Sequence, residues 1–241
     1  MAGATSMSVT VEGLRFGWRN ADQPCLDIPA FAIAPAERVF LHGPSGSGKS
    51  TLLAILAGVL APQAGSVQIG STELTSLAAG ARDAFRANHV GIVFQQFNLL
   101  PHLTVLDNVL LPCRFSRRRR LRAAALSGGG ADDEALRLLA RLGIGPDLAA
   151  RAAASLSVGQ QQRVAAARAL IGTPDLIVAD EPTSALDIRN TREFLALLLS
   201  ECCAPSALLL VSHDLSLAAH FDRRIDFAEL NRAPCAQAEA G

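Results

Sequence analysis

The sequence predicts an α/β fold organised around a phosphate-binding loop, on three observations. First, Gly43-Pro44-Ser45-Gly46-Ser47-Gly48-Lys49-Ser50-Thr51 has the pattern Gly, four residues, Gly-Lys-Ser. Second, an apolar run before it, Val39-Phe40-Leu41, reads as a strand, and Leu52-Leu53-Ala54-Ile55-Leu56-Ala57 after it reads as a helix. Third, another apolar run, Leu176-Ile177-Val178-Ala179, reads as a core strand and ends in two carboxylates, Asp180 and Glu181. Strand, Gly-rich turn and helix are the context such a loop needs. Its glycines let backbone N–H groups converge on phosphate oxygens at the positive end of the helix. Lys49 is expected to reach the β- and γ-phosphates, and Ser50 to hold Mg²⁺. Lys49 is also the only lysine in the chain, against twenty-one arginines. A planar guanidinium is a poor substitute for a compact ammonium at such a site.

The 241 residues suffice for one large domain, and an apolar content of 50% allows a sizeable core. A formal net charge of zero argues against a dedicated nucleic-acid binder. No run of eighteen apolar residues is present, so no membrane span is expected. Met1 to Thr10 has neither a basic start nor an apolar stretch, so no secretion signal is expected. Cys25, Cys113, Cys202, Cys203 and Cys235 are odd in number and lack metal-ligand spacing, which points to reduced thiols.

In chain order, Ser8 to Arg15 reads as a strand, followed by Phe16 and Trp18. Trp18 has two readings, a packed aromatic or a ring stacked on adenine. Leu26 to Ile33 and Ser66 to Gly70 read as further strands, and Glu73 to Asn88 as a helix with a ragged start. Val90 to Phe94 is a buried strand that ends at Gln95-Gln96. Phe97 to Pro112 is apolar, with Thr104 as a helix cap before Val105. Arg117 to Arg120, with Arg114 and Arg122 nearby, reads as a solvated helix face or loop, or as a contact to anionic lipid. Ser127-Gly128-Gly129-Gly130 reads as a flexible break, and Asp132 to Leu142 as a helix.

Ser155-Leu156-Ser157-Val158-Gly159-Gln160 opens a further helix, Val164 to Ile171. Ser155 and Ser157 are rival caps, and Ser157 with free N–H groups also suits a phosphate. Asp180 is expected to hold the Mg²⁺ water shell and Glu181 to orient the attacking water. Asn190 to Leu199 is a helix and Ala207 to Val211 a strand. That strand ends near His213, which is either a partly buried structural histidine or a site residue at the strand end where ligands bind in open α/β sheets. The tail from Asn231 to Gly241 is expected to be disordered.

These motifs together resemble the nucleotide-binding subunit of ATP-binding cassette (ABC) transporters, over about Val9 to Phe227. Trp18 matches the adenine-stacking aromatic, Gly43 to Ser50 the Walker A loop, and Gln95 the glutamine that couples Mg²⁺ and attacking water to the membrane partner. Ser157-Val158-Gly159-Gln160 matches the signature, with Val158 in the place of the usual first glycine. Asp180 and Glu181 match the Walker B aspartate and the catalytic glutamate. Ser184-Ala185-Leu186-Asp187 matches the loop that crosses the dimer interface, and His213 the switch histidine. Phe94-Gln95-Gln96-Phe97-Asn98-Leu99-Leu100-Pro101 is similar to the group of lipoprotein-release, macrolide-export and cell-division systems.

The resemblance implies a P-loop ATPase fold with a mixed central sheet, an N-terminal antiparallel β subdomain and a helical subdomain. The whole of 1–241 is one such domain, with a nucleotide-binding core in 1–96 and 167–230, a helical signature unit in 97–166, and the tail in 231–241. It also implies ATP and Mg²⁺ as cofactors and a head-to-tail dimer enclosing each ATP between the Lys49 loop and the partner's Ser157 segment. Further partners are an integral membrane transporter subunit, docked over Gln95 to Leu110, and a periplasmic adaptor acting through it. The location implied is the cytoplasmic membrane face, with no nucleic acid bound. Three other readings stand beside this one: a nucleotide-binding scaffold with little turnover, an amino-acid-type importer ATPase, and a soluble cassette ATPase.

Overall fold

The computed structural model describes residues 7–19, 23–202 and 206–234. β1 (Val9–Phe16) and β2 (Leu26–Ile33) precede β3 (Arg38–His42), which feeds the Gly-rich loop and α1 (Lys49–Leu56). β4 (Ala64–Ile69), β5 (Thr72–Glu73), α2 (Ala79–His89) and β6 (Val90–Val93) follow. A helical stretch holds α3 (Val105–Phe115), α4 (Arg117–Ser127), α5 (Ala131–Arg141), α6 (Pro146–Ala149) and α7 (Val158–Leu170). The chain returns through β7 (Leu176–Asp180), α8 (Ile188–Glu201), β8 (Ala207–Val211), β9 (Arg223–Asp226) and the single turn α9 (Phe227–Leu230).

Two sheets result, and their residue patterns explain their different kinds. The antiparallel sheet has the order β2-β1-β4-β5. Its strands are apolar on one face only: Val9, Val11, Leu14 and Phe16 on β1 are buried while Glu12 and Arg15 are not. The second sheet, ordered β6-β7-β8-β3-β9, is parallel throughout. Its inner strands β7, β8 and β3 are buried on both faces, as parallel strands between layers must be, while the edge strand β9 stays partly exposed. Alternation along them divides the core in two. Phe40, Ile177, Ala179, Leu208 and Leu210 face a core shared with α3, α5, α7 and α8. Val39, Leu41, Val178, Leu209 and Val211 face a core shared with α1 and the antiparallel sheet. A parallel sheet puts all its carboxyl ends on one edge, so β3, β6, β7 and β8 deliver their following residues to the same side.

The helix expected from Glu73 begins later. Thr72 and Glu73 instead pair with Ile69 and Gln68, and Leu74–Ser76 forms a 3₁₀ turn held by Ser76 Oγ donating to Glu73 O. Local hydroxyl bonds of this kind compete with a helix start.

The arginine run is a solvated helix face only in part. It forms α4, and Arg119 is 2% exposed. Its guanidinium donates to Ile171 O, Val90 O, Arg168 O and Ala169 O, so it closes the C-terminal end of α7. Burial, with no carboxylate in direct contact, lowers its pKa to about 10. Arg118 and Arg122 meet the fully buried Asp175 carboxylate, which also takes a 2.7 Å contact from His89. Burial pushes that carboxyl up, but His89 and the two arginines more than reverse it, and the net shift is downward. Arg114 pairs with Asp107. Arg117 and Arg120 are the members of the run that remain exposed. Replacing Arg119 with alanine is therefore expected to destabilise the chain by about 3 kcal/mol, through a void and unpaired carbonyls. Arg117→Ala is expected to stay within about 0.5 kcal/mol of wild type. Urea unfolding midpoints check both.

The apolar surface expected after Gln95 is also different. Val105 is buried in the helical core, and Phe97 is buried as well, on a backbone that turns to positive φ after Gln96. The exposed apolar groups on this side are Phe94, Leu100 and, at 77% exposure, Phe115. Among the described residues no helix is long and apolar enough to cross a membrane.

Candidate functional site

The Gly-rich loop leaves β3 at His42 and turns tightly enough that side chains are excluded at two points. A Cβ on Gly43 would lie 2.9 Å from Phe227 Cβ. Gly48 has φ +105°, and a Cβ there would lie 3.1 Å from Cys25 O and 2.8 Å from a Leu26 methyl. Such a backbone is the shape of an anion cradle that glycine alone fits. Lys49 opens α1 and is 6% exposed, with Nζ donating to Gly43 O (2.8 Å) and Pro44 O (2.6 Å). Its ammonium is thereby held against the loop, at the helix N-terminus where an anion is favoured.

β7 brings Asp180 and Glu181 to the same edge. Glu181 has φ +46°, its N–H donates to Val211 O (3.0 Å), and its carbonyl accepts from Ser184 N (3.2 Å). That left-handed conformation ends the strand at a cost of order 1 kcal/mol, a kind of strain concentrated at functional positions. His213 follows β8 and places Nε2 2.9 Å from Glu181 Oε1 and 3.5 Å from Ser45 Oγ. The Glu181 contact has ion-pair distance without hydrogen-bond alignment, so Oε1 is a buried oxygen without a donor. Burial raises the Glu181 pKa above the usual carboxylate range, and the charges of His213 and Lys49 only partly offset it. Ser47 Oγ is a second buried polar atom without a partner at this edge. Ser50 and Asp180 are the polar members of an otherwise apolar cavity of about 160 Å³ between α1 and strands β6 and β7, with Leu53, Val93 and Phe94 among its walls. One hydroxyl and one carboxylate suit Mg²⁺, which takes few protein oxygens and completes its shell with water and substrate phosphates. Among the described residues no group of three or more His, Cys, Asp and Glu side chains forms a metal site by itself.

The predicted residues fall into two groups in one chain. Lys49, Ser50, Asp180, Glu181 and His213 come together as above. Gln95 is exposed just beyond β6, next to the small cavity. Ser157, Val158, Gly159, Gln160 and Asp187 line a different cavity of about 460 Å³, to which no residue of the Lys49 loop contributes. Ser157 caps α7: its Oγ accepts from Gln160 N, and Gln160 Oε1 accepts from Ser157 N. Ser155 bonds Ala152 O within a 3₁₀ turn instead. Val158 is the first helical residue and 51% exposed, so its branched side chain meets solvent at little helical cost. Asp187 caps α8 through Asn190 N. Trp18 is 52% exposed and makes one edge-on contact with Phe16, so it is a surface ring rather than a core one.

Sequence reasoning missed two residues that tie these pieces together. Gln162, fully buried on α7, donates to Pro182 O, directly after Glu181. Arg168, near the end of α7, donates to Phe97 O (2.5 Å) and Asn98 O (2.6 Å). Phe97 and Asn98 both have positive φ, at 58° and 49°. α7 thus grips the segment after Gln95 and the turn after Glu181. Arg168 within the small, apolar run Val164 to Ala169, and Gln162 just before it, are the signal that points to them.

Comparison with known proteins gives consistent relatives. The family model for ABC transporters matches residues 26–184. An uncharacterized ABC transporter ATP-binding protein of Mycobacterium bovis is 38% identical over 236 residues, covering 97% of this chain and 67% of that protein. The macrolide export ATP-binding/permease protein MacB of Rhodopseudomonas palustris is 43% identical over 197 residues. That match covers 82% of this chain but only 29% of MacB. Among solved structures, the dimeric post-hydrolysis state of the ATP-binding cassette MJ0796, bound to ADP and Pi, superposes with a TM-score of 0.77 at 32% identity. It covers 94% of this chain and 98% of that one.

Proposed function

The chain belongs to the ABC transporter family as an ATP-binding member, and from that premise we propose that it binds ATP with Mg²⁺ between two copies of itself and hydrolyses it to drive an integral membrane subunit. The observation that carries this reading is the convergence of Lys49, Asp180, Glu181 and His213 at the carboxyl edge of one parallel sheet, with the Glu181 and His213 side chains 2.9 Å apart. Residues 1–96 and 167–230 act as the nucleotide-binding core and 97–166 as the signature-bearing unit.

The roles follow from the chemistry. Gly43 to Gly48 hold the phosphates by backbone N–H groups, Lys49 pairs with the β- and γ-oxygens, and Trp18 stacks on the base. Mg²⁺, when bound, neutralises charge on the transferring phosphate, and Ser50, Asp180 and Gln95 are the residues to hold it. Glu181 orients the attacking water and takes its proton, a task suited to a carboxyl with a raised pKa. His213 reaches both Glu181 and Ser45, and so senses whether the loop is filled. The second cavity, at Ser157 to Gln160 and Asp187, supplies the other wall of the ATP site across a head-to-tail dimer. Its separation from the Lys49 loop within one chain supports that arrangement, as does the dimeric state of the MJ0796 cassette.

The membrane subunit fits a cleft of about 450 Å³ floored by Val90, Ile92, Phe94, Leu111, Pro112 and Phe115. The likeness to a macrolide export ATP-binding/permease protein favours an exporter, and a periplasmic adaptor acting through the membrane subunit belongs to the same proposal. The chain then sits at the cytoplasmic membrane face through that subunit. Lipid contact is minor, because only Arg117 and Arg120 of the run stay exposed, at about 1 kcal/mol each near anionic lipid. In flotation with anionic liposomes the chain alone is expected to stay behind and to float only with its membrane subunit. Strong, salt-sensitive flotation alone would overturn this. Phosphate release from ATP by the chain, raised by the membrane subunit that co-purifies with it, tests the function. No release under either condition rejects it.

A further inference from the structure

An anion cradle needs its N–H groups turned inward. Each peptide is planar and trans, so an inward N–H requires the preceding carbonyl to face outward. That carbonyl then needs a donor on the loop's outer side. At the Ser47–Gly48 peptide the donor is Asn231. Its Nδ2 lies 3.2 Å from Ser47 O and also donates to Cys25 O at 3.0 Å. Its Oδ1 accepts from Asp27 N (2.8 Å) and Ala233 N (3.2 Å), so the side-chain amide is fully used. The backbone around it is fixed as well: Asn231 N donates to Phe227 O and Arg232 N to Asp27 O. Phe227 is fully buried against Gly43 of the same loop. Asn231 opens the stretch expected from sequence to be a disordered tail; residues 235–241 of that stretch lie outside the described residues.

The geometry points to Asn231 as a positioning residue for the nucleotide site. Its amide pins the Ser47 carbonyl outward, which turns the Gly48 N–H into the cradle and holds Gly48 at φ +105°. This inference rests on the reading of the Lys49 loop as a nucleotide site. A loop that spends part of its time with this peptide turned the other way binds in proportion to the competent fraction. Once nucleotide is bound, the peptide is held by the phosphates and chemistry proceeds as before. The expected signature is therefore weaker binding and a higher KM with kcat preserved.

The test is equilibrium titration of the full chain with a fluorescent ATP analogue, alongside steady-state ATPase kinetics and thermal unfolding. Wild type must bind first, and failure there sinks the nucleotide reading rather than this one. Asn231→Asp keeps the acceptors for Asp27 N and Ala233 N and removes both donors. It is expected to raise Kd and KM about tenfold, the loss of one well-placed hydrogen bond, with kcat within about twofold. Asp226→Ala removes the α9 cap, which accepts from Ala228 N, and leaves the side-chain hydrogen bonds of Asn231 in place. It is expected to lower the unfolding temperature and leave Kd within about twofold. If Asn231→Asp does not fold, Asn231→Ser, which keeps one hydroxyl donor, decides with an expected loss of about threefold. Wild-type affinity in the Asp variant, or in the Ser variant where that one decides, overturns the assignment. So does an equal loss of affinity in Asp226→Ala.

Discussion

Lys49→Ala is expected to weaken ATP binding by at least about a hundredfold. The ammonium is nearly buried, sits at the first residue of α1, and is held to the loop by Gly43 O and Pro44 O. A charge-assisted contact to phosphate in such a place contributes about 3 kcal/mol or more. The rest of the cradle, the backbone N–H groups and the helix end, remains, so residual weak binding is expected. Lys49→Arg is not expected to restore the site, because a planar guanidinium needs room that the loop lacks once a Cβ cannot fit even at Gly43 or Gly48. Equilibrium binding of a labelled ATP analogue measures this, with the unfolding temperature recorded to separate it from loss of fold. Affinity unchanged by Lys49→Ala would reject the phosphate role of the loop.

The parts of this site that were legible in the sequence are those written in consecutive residues. A Gly-rich loop between an apolar strand and a helix carries its geometry in its own spacing, and so does a strand ending in Asp180-Glu181. The core strands were legible because parallel strands buried on both faces are nearly unbroken apolar runs. What could not be read depends on which distant segment approaches. Arg119 looks like its neighbours in sequence. It is buried because α4 passes so close to Gly172 that a Cβ there would lie 2.4 Å from Arg119 O. Phe97 and Val105 looked like docking surface because nothing local says that Arg168 pulls residues 97 and 98 into left-handed turns. Asn231 follows a short helix and precedes an Ala-rich stretch, and no local pattern ties it to a loop 184 residues away. The polar residues that fasten one functional segment to another are the part of this design that local pattern misses.

Glu181→Gln is expected to keep ATP binding, to lower turnover about a hundredfold to a thousandfold, and to hold two copies together in ATP and Mg²⁺. Glutamine preserves volume and leaves Lys49, Ser50 and Asp180 in place, so the phosphates still have their partners. It removes the group proposed to take the water's proton. The dimer then persists because its wall at Ser157 to Gln160 and Asp187 is engaged by nucleotide that is no longer consumed. The pH dependence gives an independent check. Burial raises the Glu181 pKa, and the carboxyl must be ionised to accept a proton. Wild-type turnover is therefore lost as pH falls through that raised value, above the range of an ordinary carboxylate, while the slow residual rate of Glu181→Gln lacks this limb. Val158, exposed at the opening of α7, stands where the two copies would meet. Adding Val158→Gly to Glu181→Gln is expected to tighten the dimer. Chromatographic mass with ATP and Mg²⁺, across protein concentrations, reads the trap directly. Undiminished turnover in Glu181→Gln, or a monomer at every concentration, would remove Glu181 from the role.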